Sequence, residues 1–269
     1  MSDIISVFTK PWKEPLPSLA DKLAGLGLGG VELPVRPGYQ ITPENVRRDL
    51  SAAARTLGER GLKIASIAGT VDEPMIAACG DADVPIIRIC MTIDPTVSYA
   101  KQIDNYRREF DAMVPLLDRF GVTAGVQNHS GNYIGSAIGV LHLIEKYAPK
   151  HVCAVLDMAH CGLDGEATAI AVDILTDRMR GLVNFKSAFR NRTNGPEDIA
   201  SYKVHWTTHQ HSVYSWKELV ASLKKIGFSG TYCLPAEYSD PDGLGPRMGD
   251  DVIPYLRQDL NYLKELLAN

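Results

Sequence analysis

Short apolar runs rich in β-branched residues recur along the chain, each followed by a polar or Gly-containing break and then by a helical pattern. Eight such runs cover residues 4–8, 30–33, 62–68, 85–91, 121–127, 151–158, 181–186 and 230–236. Their starts lie on the order of 30 residues apart, roughly the length of one strand-helix unit. The intervening segments read as amphipathic helices. Ile103, Tyr106, Phe110, Met113, Leu117 and Phe120 recur by threes and fours on one face, with Pro115 predicting a kink or break. Thr42-Pro43-Glu44 reads as an N-cap, a first-turn proline and an acid leading into a helix. Trp216, Leu219, Val220, Leu223 and Ile226 form a further face ended by Gly227, and residues 252–267 form the last helix.

Near-continuous apolar strands alternating with amphipathic helices predict a parallel sheet buried by helices on its outside. Eight units within a length of 269 residues is the arithmetic of one (β/α)8 TIM barrel domain spanning 1–269. A doubly wound open sheet is the competing topology, but no GxGxxG opens a helix after the first strand. One connection, residues 187–215, is long and lacks clear periodicity, which predicts a functional or mobile loop.

Composition narrows the function classes. The chain has 28 basic and 32 acidic residues and a formal net charge of −4, which argues against a nucleic-acid binder. No stretch approaches the roughly 18 uninterrupted apolar residues of a membrane span, and the first residues carry no export signal. Five scattered cysteines without metal-like spacing read as reduced thiols, and a cytoplasmic protein is the expectation.

A barrel places its chemistry at the C-terminal ends of the strands, so polar residues finishing each run are the candidates. These are Glu32, Arg88, Gln127, Asn128, His129, Asp157, His160, Asn184, Lys186 and Glu237. The phrases GVEL at 30–33, VQNHSG at 126–131, LDMAH at 156–160, NFKS at 184–187 and GFSGTYCLPAEY at 227–238 carry a resemblance. The chain resembles the sugar phosphate isomerase/epimerase superfamily, with a xylose isomerase-like TIM barrel, a group that also includes the AP endonuclease family 2 (endonuclease IV) branch.

The resemblance implies a divalent metal at the barrel mouth held by Gln127, Asp157, Asn184 and Glu237. Two of these depart from the family pattern: Gln127 stands where a carboxylate is expected, and Asn184 where an imidazole is expected. Such a set would hold Mg²⁺ or Mn²⁺ weakly. It also lacks the second base of a two-carboxylate epimerase, because Gln127 does not take a proton at neutral pH. What remains is a one-base site, with Glu237 as base, His160 or Lys186 as acid or electrophile, and Arg190 or Arg192 holding an oxyanion from the long loop. Gln127, His129, Asn184, Glu32 and Trp206 are the expected substrate contacts. An alternative metal site, suited to Zn²⁺, combines His160 with His209 and His211 of the loop.

Plainer roles exist for each. Lys186 would salt-bridge Glu237 or Asp157, Glu32 would only orient neighbours, and Gln127 and Asn184 would be polar caps. The resulting expectation is a sugar isomerase or epimerase-like enzyme acting on a small polyhydroxylated carbonyl compound by proton abstraction next to the carbonyl. A lyase or dehydratase of the same fold is the first alternative, and a metal-free binding protein or complex subunit the second. A small sugar-like substrate is the expected partner, with neither nucleic acid nor membrane, and a homodimer is compatible with this class of barrel. The endonuclease branch is disfavoured because Ala68-Gly69 and Met91-Thr92 stand where its histidines would be.

Overall fold

The computed structural model describes residues 3–242 and 245–269. In chain order its strands are β1 (Ile4–Phe8), β2 (Gly30–Pro34), β3 (Lys63–Ala68), β4 (Ile86–Cys90), β5 (Thr123–Gln127), β6 (Val152–Asp157), β7 (Met179–Asn184), β8 (Ser187–Arg192), β9 (Tyr202–Thr207) and β10 (Gly230–Leu234). All eight apolar runs of the sequence became barrel strands. They close in the order β1-β10-β7-β6-β5-β4-β3-β2, every neighbouring pair parallel. Strands β5, β6 and β10 are buried at every position, as expected for strands covered on both faces. The helices are α1 (Leu16–Gly25), α2 (Val46–Gly58), α3 (Glu73–Asp81), α4 (Tyr99–Phe120), α5 (Ala137–Ile144), α6 (Met158–Leu163), α7 (Thr168–Leu175), α8 (Trp216–Lys225) and α9 (Ile253–Ala268).

Two hydrophobic layers follow from this arrangement. The large core fills the space between sheet and helices, whereas Phe8, Ala68, Ile86, Val155, Leu182 and Cys233 form a separate cluster contributed by six barrel strands. Closure between β7 and β10 depends on two glycines in register. A Cβ on Gly230 would lie 2.7 Å from the Cα of Gly181, so Gly230 has no room for a side chain, and Gly181 has φ +76°, a conformation that other residues rarely adopt.

Three local expectations are corrected. Residues 187–215 are largely ordered: β8 and β9 pair as an antiparallel ribbon with Ala188 opposite Trp206. Most of that ribbon is exposed or half-buried, so it lacks the apolar alternation that would have announced it. Helix α4 runs unbroken through Pro115 to a left-handed cap at Gly121. Helix α2 starts at Val46 rather than beside Thr42, because the Asn45 side chain accepts from the Thr42 amide at 2.7 Å and holds residues 42–45 as a turn. All five cysteines are unpaired. Among the described residues no helix is long and apolar enough to cross a membrane.

Candidate active site

Glu32 lies in the middle of the fully buried strand β2 and is 1% exposed, so its charge requires a partner. Arg88, two strands away on β4, supplies one in a forked contact: Nε donates at 2.8 and 2.9 Å and Nη2 at 2.5 Å. Ser66 of β3 donates its hydroxyl to the same carboxylate at 2.8 Å. The guanidinium lies 4.9 Å from the centre of the Phe8 ring and donates through Nη1 to Gln127 Oε1 at 2.5 Å.

Gln127 continues the chain of contacts around the barrel. Its Nε2 donates to Asp157 Oδ2 at 2.8 Å, so the guanidinium on one side and the carboxylate on the other fix the amide orientation. Asn128 ties the ends of β5 and β6 together, accepting from the Asp157 amide at 2.8 Å and donating to its carbonyl at 2.9 Å. The other Asp157 oxygen accepts from the Ala159 amide at the start of α6.

Lys186, just past β7, is 6% exposed and lies under the Trp206 ring, 4.3 Å from its centre. Its ammonium donates to Glu237 Oε2 at 2.9 Å and stands 3.6 Å from Asp157 Oδ2. Glu237 Oε1 accepts from Lys10, which follows β1. Burial presses the Lys186 ammonium towards neutrality, but the Asp157 and Glu237 charges outweigh it and hold its pKa above the ordinary lysine value. Burial would raise the Glu237 carboxyl, yet Lys186 and Lys10 reverse this and hold it well below the usual carboxylate range. Asp157 moves the other way, because its burial exceeds the help of Lys186.

His160 is fully buried behind this row. Its Nδ1 shares a hydrogen bond with Ser130 Oγ at 2.9 Å, its ring lies 3.8 Å from the His129 ring, and Trp206 meets it edge-on. Burial, with Lys186 next in size, keeps its pKa well below 6.5, so the ring is neutral. Among the described residues, two buried polar atoms at this end of the barrel have no hydrogen-bond partner, His160 Nε2 and Asn184 Oδ1.

Glu32, Arg88, Gln127, Lys186 and Glu237 line a cavity of about 490 Å³, with Asp157 and His160 buried behind its wall. Four cationic residues, Lys10, Arg36, Arg88 and Lys186, face it against two carboxylates, Glu32 and Glu237. Arg36 lies over the Phe8 and Tyr39 rings at 5.9 and 6.0 Å and has no carboxylate partner among the described residues. Gln127, His129, Tyr133 and Asn184 complete the polar wall.

The structure therefore brings together Glu32, Gln127, His129, Asp157, His160, Asn184, Lys186, Trp206 and Glu237. It separates the others. Arg190 is paired at 2.7 Å with Asp164, and Arg192 braces the turn of its own hairpin through the Gly195 and Asp198 carbonyls. His209 is bound to Asp259 at 3.0 Å and stacked 4.0 Å from the Tyr262 ring, which removes it from the site. Hence His160, His209 and His211 do not assemble: among the described residues, no group of three or more His, Cys, Asp or Glu side chains is placed to hold a metal. Trp12 and Tyr238 are core residues, the latter donating to Asp259 at 2.8 Å.

The oxygen set inferred from the resemblance does not fit a divalent cation either. Gln127 turns its oxygen to Arg88 and offers the site an amide N–H, both Glu237 oxygens accept from ammonium groups, and Asp157 is engaged on both sides. Of this set only Asn184 Oδ1 has no partner among the described residues. Two unit charges about 4 Å apart repel by about 4 kcal/mol at an effective dielectric near 20, and a dication beside the Lys186 ammonium would double that.

Lys10 and Arg36 were not anticipated. Both are accessible to the same strand-end rule, since Lys10 follows β1 by two residues and Arg36 follows β2 by two.

The titrations have a stability consequence. His160 and His129 both have folded-state pKa values below the ordinary one, so the unfolded chain binds protons first. Their contribution is present above pH of about 6.5 and is lost as pH falls below it. The depressed Glu237 adds a second loss below about pH 4.3, and Asp157, shifted upward, opposes it. Thermal melts from pH 8 down to about 2.5 should show a two-stage decline, and His160→Gln should shrink the upper stage. A melting temperature flat between pH 7 and 5 would contradict the buried neutral imidazole.

A closed eight-stranded parallel barrel wrapped by helices, with a charged, polar cavity at the C-terminal ends of its strands, is a (β/α)8 TIM barrel. Residues 20–266 match the family model described as xylose isomerase-like TIM barrel, and the chain belongs to that family. Among solved structures, a D-psicose 3-epimerase with D-tagatose from Clostridium cellulolyticum H10 is similar at 12% identity and TM-score 0.71, covering 98% of this chain and 99% of that one. A 3-keto-D-glucoside 4-epimerase from E. coli is similar at 12% identity and TM-score 0.68, covering 98% and 100%. A D-tagatose 3-epimerase-like protein gives 16% identity and TM-score 0.68 over 98% and 99%. At these identities the likeness is one of fold. Comparison with curated proteins gives no significant match.

Proposed function

We propose that this chain is a sugar isomerase-type enzyme acting on a small polyhydroxylated carbonyl compound that carries a negative charge, a sugar acid. The observation that carries this reading is the composition of the cavity wall. Four cations meet three carboxylates, Glu32, Glu237 and the buried Asp157 beside Lys186, so the positive charge of Arg36 is left without an acidic partner among the described residues. Neutral sugars need no such excess, whereas a carboxylate is bound by charge-assisted donors of this kind. Sugar hydroxyls have acceptors and donors in Gln127, His129 and Asn184, whose free Oδ1 accepts from a hydroxyl.

In this reading Glu237 is the base that removes the proton next to the substrate carbonyl. Lys186 donates to the carbonyl oxygen and stabilises the enolate negative charge as it forms. Lys10 is the more exposed of the two lysines on Glu237, at 40% against 6% for Lys186, so an incoming anion draws it off. Glu237 becomes a stronger base when that happens. His160 and Trp206 position Lys186 and His129 from behind. Gln127 supplies no second base, and this favours return of the proton on the same face, or β-elimination, over inversion of a centre by two opposed carboxylates.

The test is a calorimetric panel of keto sugar acids, each paired with the neutral keto-sugar of the same length. The acid of a matched pair should bind about tenfold or more tightly, and Arg36→Ala should reduce that preference. Equal affinity for both members would contradict a sugar acid substrate, and binding without turnover would favour a non-catalytic binding protein.

A further inference from the structure

We infer that the Lys186 ammonium is the site's own cation, standing where relatives of this fold would carry a divalent metal, and that the chain works as a metal-independent member of the family. Its role in turnover rests on the function proposed above, but the cation assignment itself does not, since it concerns binding at Asp157 and Glu237.

The geometry points to it from three sides. Lys186 leaves the barrel just past β7, two residues after Asn184, and its Nζ reaches between the carboxylates that end β6 and follow β10. The position is enclosed, with Trp206 over the ammonium and only 6% of the residue exposed, so the lysine does not swing out freely into solvent. The surrounding donors are also arranged for an ammonium and a guanidinium. Gln127 shows its N–H to Asp157 and its oxygen to Arg88, the orientation opposite to that of a metal ligand. The two carboxylates around Lys186 are balanced by Lys186 and Lys10, while Glu32 and Arg88 balance each other. A bound dication would leave the cluster two charges in excess.

The assignment predicts that removing the ammonium creates a metal site. Asp157, Glu237 and the free Asn184 Oδ1 would then supply three oxygens to a hard cation. Mn²⁺ is the probe, read by the loss of the free-ion electron paramagnetic resonance signal and by calorimetry, with no substrate present. Wild-type protein should bind Mn²⁺ weakly, Lys186→Met should bind it about a hundredfold or more tightly, and Asp157→Asn in the Lys186→Met background should abolish the gain. Lys10→Met, which keeps the buried ammonium, should stay near wild type. Circular dichroism establishes that each variant is folded, and Lys186→Gln replaces Lys186→Met if the latter is not. Tight stoichiometric Mn²⁺ binding by the wild type, no gain in a folded Lys186 variant, or an equal gain in Lys10→Met would overturn the assignment. Failure of the sugar acid panel would leave these results unaffected.

Discussion

Replacing Arg88 by Leu is expected to lower stability by about 3–5 kcal/mol, a shift of about 10 °C in melting temperature for a chain of this size. The size follows from what is left behind. Glu32 is 1% exposed, and its only cationic partner among the described residues is the Arg88 fork, so the single substitution strands a charge inside the barrel. Gln127 Oε1 loses its guanidinium donor in the same step and keeps only the weak Cys90 thiol, so the amide that holds Asp157 is less firmly fixed. Arg88→Lys keeps the charge but not the fork, and should fall between the two. The double substitution Glu32→Leu with Arg88→Leu should regain most of the loss, because the stranded charge rather than the missing bond dominates. Urea titration of the three variants checks this. A loss below about 1 kcal/mol for Arg88→Leu would show that Glu32 retains solvent or protonates at little expense.

The barrel was legible because its strands are buried on both faces. Runs such as Val152–Asp157 are apolar almost throughout, and helices such as Trp216–Lys225 carry a complete apolar stripe and a cap, so period and spacing suffice to give eight units. The ribbon after β7 was not legible, since a two-stranded element lying on the surface has no buried face to write into the sequence. The rim residues of the site were legible by position: Glu32, Gln127, Asp157, Asn184, Lys186 and Glu237 all follow from the strand-end rule. Their partners were not. Nothing in the spacing of Lys10, Lys186 and Glu237 shows that two ammonium groups share one carboxylate, or that Gln127 turns its oxygen away from the site, because those facts depend on which strand ends meet across the barrel. The histidines of residues 205–211 failed for a related reason. Concentration in sequence is not convergence in space, and His209 finds Asp259 and Tyr262 of α9 instead.

The reading joins two statements, proton removal next to a carbonyl by Glu237 and stabilisation of the resulting anion by Lys186. Both bear on one isotope experiment. A keto sugar acid that binds in the calorimetric panel is incubated with wild-type protein in D₂O containing EDTA, and the proton next to the carbonyl is followed by nuclear magnetic resonance. Deuterium should replace it in the presence of chelator, at a rate that added Mn²⁺ does not raise. Glu237→Gln should slow exchange by about 10²–10⁴-fold, the range for loss of a general base, and Lys186→Met by about 10²–10³-fold, the range for loss of an anion-stabilising donor. Exchange that stops in EDTA and returns with Mn²⁺, or that survives Glu237→Gln undiminished, would contradict a lysine-assisted, one-base site.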